Sequence, residues 1–184
     1  MVSTARTTTS KLFPLRPPEP TAEQINTGLS ACLRVQRLAS SQGKRPFAAV
    51  LIGPDNSKIL LTHFSISHVE HAEASLARLA ALHFTPEYLW TCALYSTWEP
   101  CAMCAATCYW ANIGRVVYAA SEEKLLELTG KGNEENFTLN WPCKDLFEKG
   151  QKDVQIWGPV AGMQEEVVEE SDKYWKPIRE GKGQ

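Results

Sequence analysis

Ser96-Thr97-Trp98-Glu99-Pro100-Cys101-Ala102-Met103-Cys104 is the stretch on which the reading of this chain turns. Alternation through Leu89 to Trp98 predicts a strand, Glu99-Pro100 breaks it, and Cys101 to Ala111 predicts a helix with Pro100 at its first turn. Cys101 and Cys104 then lie one turn apart on one face. A helix N-terminus offers free N–H groups and a partial positive charge, which favours thiolate over thiol. Upstream, His71-Ala72-Glu73 opens a second predicted helix, whose run of Ala74, Leu76, Ala77, Leu79, Ala80 and Leu82 ends near His83. Two helix starts thus face one point.

One imidazole and two thiolates make three ligands for a tetrahedral zinc, Zn2+, and leave the fourth position open to water, as a catalytic site requires. Glu73, two residues past the ligand His71, is placed to take a proton from that water without binding the metal. Taken singly, each half has another reading. A lone Cys-x-x-Cys serves as a redox pair or as half of a structural zinc knuckle, and a lone helical His is usually packed or solvated. A redox pair does not need His71 and Glu73, and a knuckle needs a second ligand pair that the other cysteines do not supply.

The joint pattern His-x-Glu and Pro-Cys-x-x-Cys is that of zinc deaminases. The chain resembles the zinc-dependent cytidine and nucleobase deaminase superfamily from about Pro46 to Ala120, through Pro-Phe-Ala-Ala-Val-Leu-Ile, His-Ala-Glu, Ser-Thr-Trp-Glu-Pro-Cys-Ala-Met-Cys and Tyr-Trp-Ala-Asn-Ile-Gly-Arg-Val-Val-Tyr-Ala-Ala. Tyr109-Trp110-Ala111 is similar to guanine deaminases, and Ile113 to Val117 to tRNA adenosine deaminases. The resemblance implies a three-layer α/β/α domain with a mixed central sheet of about five strands, and a homodimer or larger homo-oligomer. It also implies that the Ala72 N–H holds the substrate and that the Trp98 carbonyl receives the leaving amine. Phe47 and Trp98 offer flat surfaces for stacking a ring, with ordinary core packing as the alternative.

Two departures from the family bear on substrate. The segment Leu61 to Glu70 lacks the Asn that usually follows the second strand; His63 is the candidate replacement, against a solvated loop histidine. Ala48 stands where Gly is frequent, and its methyl group would narrow the pocket floor.

Outward from this core, the pattern becomes less specific. Thr21-Ala22-Glu23-Gln24 has the form of a capping box opening a helix with Ile25, Leu29, Cys32, Leu33 and Gln36 on one face, ended by Gly43. Strands are predicted over Phe47 to Ile52, Lys58 to His63, Arg115 to Ala120 and Val154 to Trp157, with Ser121 capping a helix to about Leu128. This alternation is an α/β layout with parallel strand pairs. Met163, Val167, Tyr174 and Ile178 mark one stripe of a Glu-rich last helix limited by Pro177. Tyr174 or Trp175 either closes the catalytic mouth or packs on the sheet.

The 184 residues, 43% hydrophobic and 22% charged, fit one domain. Residues 1 to 20, with four prolines and no acid before Glu19, read as a flexible N-terminal arm ahead of a deaminase domain over 21–184; a mitochondrial presequence is the alternative. No apolar run reaches membrane-spanning length, and no secretory signal is seen. Cys32, Cys92, Cys108 and Cys143 read as buried thiols in a reducing, cytoplasmic setting, Cys108 being a turn too far to serve as a ligand. The expected substrate is a small-molecule nucleobase or nucleoside, guanine foremost, with no nucleic acid and no membrane as partner. A tRNA wobble adenosine deaminase and a non-catalytic partner subunit are the other two readings.

Overall fold

Thr21 opens the first helix as its sequence predicts: its Oγ1 accepts from the Gln24 N–H at 3.2 Å, and Gln24 Oε1 accepts from the Thr21 N–H at 2.9 Å. The structure is a computed structural model, and it describes residues 10–181. Its elements in order are α1 (Ala22–Ser41), β1 (Ala48–Ile52), β2 (Ile59–Phe64), α2 (Ala72–His83), α3 (Pro86–Trp90), β3 (Ala93–Trp98), α4 (Ala102–Trp110), β4 (Arg115–Ala120), α5 (Glu122–Thr129), α6 (Cys143–Glu148), β5 (Gln155–Trp157) and α7 (Met163–Arg179).

The strands form a five-stranded mixed sheet in the order β2-β1-β3-β4-β5. β1 is antiparallel to β2 and β3, while β3, β4 and β5 run parallel. β1, β3 and β4 are buried along their whole length because both faces of the sheet are covered. Alternation then divides their side chains: Ala49, Leu51, Leu94, Val116 and Tyr118 pack with α2 and α4, and Val50, Ile52, Tyr95, Val117 and Ala119 pack with α1 and α7. This is the three-layer α/β/α arrangement. Gly114, ahead of β4, is needed for a close approach, since a Cβ there would lie 1.9 Å from the Trp90 carbonyl oxygen.

Several expectations shift. The strand expected from Leu89 begins only at Ala93, because Pro86 stands in the first turn of α3 and Thr85 Oγ1 caps it by accepting from the Tyr88 N–H at 3.3 Å. Pro100 precedes the cap of α4 instead of lying in its first turn. Pro177 does not stop α7, which runs on to Arg179; Arg179 ties the last turn to the Leu128 carbonyl at 2.8 Å and to Asp172 at 2.6 Å. The buried residues of α7 are Met163, Val167, Ser171 and Trp175, while Tyr174 and Ile178, expected on the same stripe, are half-buried.

The N-terminal arm differs most. Residues 1–9 lie outside the described residues, but Phe13, Arg16, Pro17 and Pro18 make contacts with α3 and the start of β4. Arg115 is 1% exposed, and its guanidinium donates to the carbonyls of Pro17 and Pro18, to Asn56 Oδ1 and to Gln155 Oε1. The Arg16 guanidinium lies 4.1 Å above the Trp90 ring, and Phe13 meets the same ring edge-on at 4.8 Å. Among the described residues Cys32, Cys92, Cys108 and Cys143 are free and buried, and no helix is long and apolar enough to cross a membrane.

Candidate active site

Both ligand-bearing helices begin at a single point. His71 is the N-cap of α2 and Cys101 the N-cap of α4, with Cys104 one turn on. His71 Nδ1 lies 3.7 Å from Cys101 Sγ and 3.5 Å from Cys104 Sγ. A tetrahedral ion with Zn–S of about 2.3 Å and Zn–N of about 2.0 Å would hold each N···S pair about 3.6 Å apart, so both N···S separations match those of a zinc site. His71 Nε2 donates to the His68 carbonyl at 3.0 Å, which leaves Nδ1 free to ligate and orients the ring. These three residues could hold a metal ion; Cys108, buried in the apolar cluster, takes no part.

The hydrogen bond with Cys104 holds the Cys101 thiol well below its ordinary range, and it raises Cys104 in turn. One thiolate is therefore ready for a cation. Glu73, in the first turn of α2, is 5% exposed, and burial pushes its carboxyl up to about 7 against the opposing pull of His71. A carboxyl balanced near neutral pH both takes and returns a proton readily.

His71, Glu73 and Cys101 form one wall of a cavity of about 340 Å³, mouth included. Phe47, Trp98 and Leu125 line it with apolar surface, and Glu99, Glu122 and Asn136 supply the remaining polar groups. Trp98 is held in place from behind: its Nε1 donates to Ser171 Oγ at 3.2 Å, and Gln36 Nε2 donates to the same oxygen at 3.1 Å. The Trp98 carbonyl accepts from Ser96 Oγ at 2.5 Å and keeps a second lone pair. Glu99 is committed to structure, since its carboxylate accepts from the Glu122 N–H at 3.1 Å and the Cys143 N–H at 2.8 Å, capping α5 and α6 together.

Of the residues singled out from sequence, His71, Glu73, Cys101, Phe47 and Trp98 line the cavity and Cys104 lies behind it. Ala72 is buried at the first position of α2, where its N–H has no helical partner. His63 is not among the cavity residues. It pairs with Ala49 on the edge strand β2, and its Nδ1 lies 2.8 Å from the Phe64 carbonyl oxygen. Ala48 is buried in β1 beside Thr97 and does not form the pocket floor. Neither Tyr174 nor Trp175 lines the cavity; Trp175 is fully buried behind Phe47, ring centroids 6.0 Å apart. Glu99, Glu122, Leu125 and Asn136 were not expected. Only the Ser121 cap gave any local signal there, and it marks a helix start rather than a site.

Residues 22–120 match the family model described as the cytidine and deoxycytidylate deaminase zinc-binding region. Among curated relatives, a probable cytosine deaminase of Schizosaccharomyces pombe is 25% identical over 151 residues, which cover 80% of this chain and 90% of that protein. A tRNA-specific adenosine deaminase of Aquifex aeolicus is 29% identical over 100 residues, 52% of this chain and 66% of the relative. Among solved structures, the guanine deaminase of Nitrosomonas europaea superposes with a TM-score of 0.68 at 16% identity, covering 88% of each chain.

Proposed function

Because the chain belongs to the cytidine and deoxycytidylate deaminase zinc-binding family, we propose that it hydrolyses the exocyclic C–N bond of a small aminated heterocycle, a purine base or nucleoside such as guanine foremost, and releases ammonia. The observation that carries this reading is the meeting of His71 Nδ1 and two thiol sulfurs at 3.5 and 3.7 Å with a buried Glu73 on the same cavity wall. Zinc would be held there by His71, Cys101 and Cys104 and would supply Lewis acidity that lowers the pKa of a water molecule towards neutral.

The chain's own groups then move the protons. Glu73 takes one as the water oxygen adds to the carbon bearing the amine, gives it to the neighbouring ring nitrogen, then takes the second from the new C–OH group and passes it to the amine as the C–N bond breaks. Water is consumed, ammonia leaves, and a carbonyl remains on the ring. Phe47 and Trp98 hold the ring flat, the Ala72 N–H donates to it, and the free lone pair of the Trp98 carbonyl receives the departing amine.

Wobble-adenosine deamination on tRNA is the second reading, favoured by the Aquifex aeolicus relative. It demands grouped Lys and Arg to neutralise phosphates, whereas the chain has a net charge of −2. The presence of Glu73 argues against a non-catalytic partner subunit. We take the assembly to be a homodimer, and the four buried free thiols to suit a reducing compartment such as the cytoplasm. Ammonia release from guanine, adenine, cytosine and their nucleosides by the zinc-loaded protein tests the reading. Turnover of at least one is expected; inosine formation in tRNA with no ammonia from any of the six would replace it by the second.

A further inference from the structure

Phe47 leads into β1 and Trp98 ends β3, and because those strands are antiparallel both rings reach the cavity at the same end of the sheet. One helix stands behind both. On α7, Ser171 and Trp175 are fully buried and lie one turn apart on one face. Trp175 packs against Phe47 with ring centroids 6.0 Å apart, and Ser171 Oγ accepts from Trp98 Nε1 at 3.2 Å. The two contacts differ in kind. Packing between rings leaves room to slide, whereas the indole N–H is a single donor with a preferred direction, so its bond fixes the tilt of the ring.

Ser171 is out of character with its surroundings. The other buried residues of α7 are Met163, Val167 and Trp175, and a hydroxyl among them costs free energy unless it is hydrogen-bonded. A second donor reaches the same oxygen: Gln36 of α1, 0% exposed, gives its Nε2 at 3.1 Å. Polar groups from α1, β3 and α7 therefore meet inside an apolar layer. For stability alone an apolar set of the same shape would serve about as well, since replacing both partners of a buried hydrogen bond is nearly neutral. What the bond adds is direction, given to a side chain that lines the cavity.

The backbone of Trp98 is fixed separately, by Ser96 Oγ on its carbonyl at 2.5 Å. His71, Glu73, Cys101 and Cys104 stand at the starts of α2 and α4, on the opposite face of the sheet from α7. Ser171 is thus joined to the indole and to none of the groups that hold metal or move protons. We propose that Ser171 is a positioning residue for the substrate, fixing the plane of the Trp98 indole against which the substrate ring is held. This rests on the deaminase reading above and adds to it the part played by the C-terminal helix.

The experiment measures zinc content, Tm, kcat and KM for ammonia release, with the base or nucleoside that wild-type protein turns over best. Ser171→Ala leaves the Trp98 N–H without an acceptor, and Ser171→Cys fills the same space with a weak one. Each should keep its zinc and raise KM about five- to tenfold with kcat within about twofold of wild type, the pattern of lost ring binding. In Trp98→Phe, which keeps a flat ring without the N–H, adding Ser171→Ala should change KM by less than about twofold, because the bond through which Ser171 acts is already gone. Met163→Ala, about 12 Å away on the same helix face, should lower Tm without raising KM. Unchanged KM in Ser171→Ala, or in Ser171→Cys should the former not fold, overturns this proposal and leaves the deaminase reading standing. So does a fall in kcat as large as the rise in KM, an equal further rise in KM on the Trp98→Phe background, or a rise in Met163→Ala matching that of the Ser171 variants. No ammonia from any base or nucleoside with wild-type protein overturns both.

Discussion

At Cys101 and Cys104 the zinc proposal meets its simplest check. Each would supply one of the three ligands proposed and none of the other described cysteines lies in the group, so Cys101→Ala and Cys104→Ala should each lose most of the roughly one zinc per chain expected of wild-type protein, as metal analysis would show. Full occupancy in both would exclude this ligand set. Glu122 gives a second prediction with a definite sign. Its folded pKa lies above the ordinary 4.5, so between about 4.5 and 9 the folded state binds more protons than the unfolded one, and stability falls as pH rises. Glu122→Gln removes that penalty. Its Tm should exceed that of wild type by a few degrees at pH 8 and by much less at pH 5; a gain independent of pH would mean that Glu122 does not hold its proton. At this scale the ligands and Glu73 were legible because short motifs carry them. Glu122 and Asn136 were not, since a lone acid in a helix's first turn reads as an ordinary partner of the helix dipole.

Elements show the same division between local and distant causes. α1, β1, β4 and α5 follow from capping and alternation close at hand. α6 carried no expectation, because the group that caps it is Glu99, 44 residues away in sequence. On α7 the buried Ser171 was missed for a related reason: a polar residue belongs on that face only because Trp98 and Gln36 donate to it there. Composition suggested a free arm over residues 1–20, yet backbone carbonyls of Pro17 and Pro18, which any residue carries, are what Arg115 binds. Removing residues 1–20 should therefore lower Tm by about 4–8 °C, corresponding to about 2 kcal/mol from orphaned Arg115 donors and the lost Arg16 contact with Trp90. A free arm would leave Tm unchanged. Trp175→Ala, which empties a fully buried site behind Phe47, should cost about 3–5 kcal/mol by denaturant unfolding.

Across the whole molecule, the sheet brings two helix starts together, one after β3 and one after β2, and the cavity opens where they meet. We assign metal binding and proton movement to different side chains: His71, Cys101 and Cys104 for the first, Glu73 for the second. Zinc content and ammonia release, measured together on wild-type protein and on Glu73→Gln with the base that wild type turns over best, test this most directly. Expected are equal zinc and a turnover at least about a hundredfold lower in the variant; equal zinc with unchanged turnover would contradict the assignment of Glu73 as the group that moves the proton.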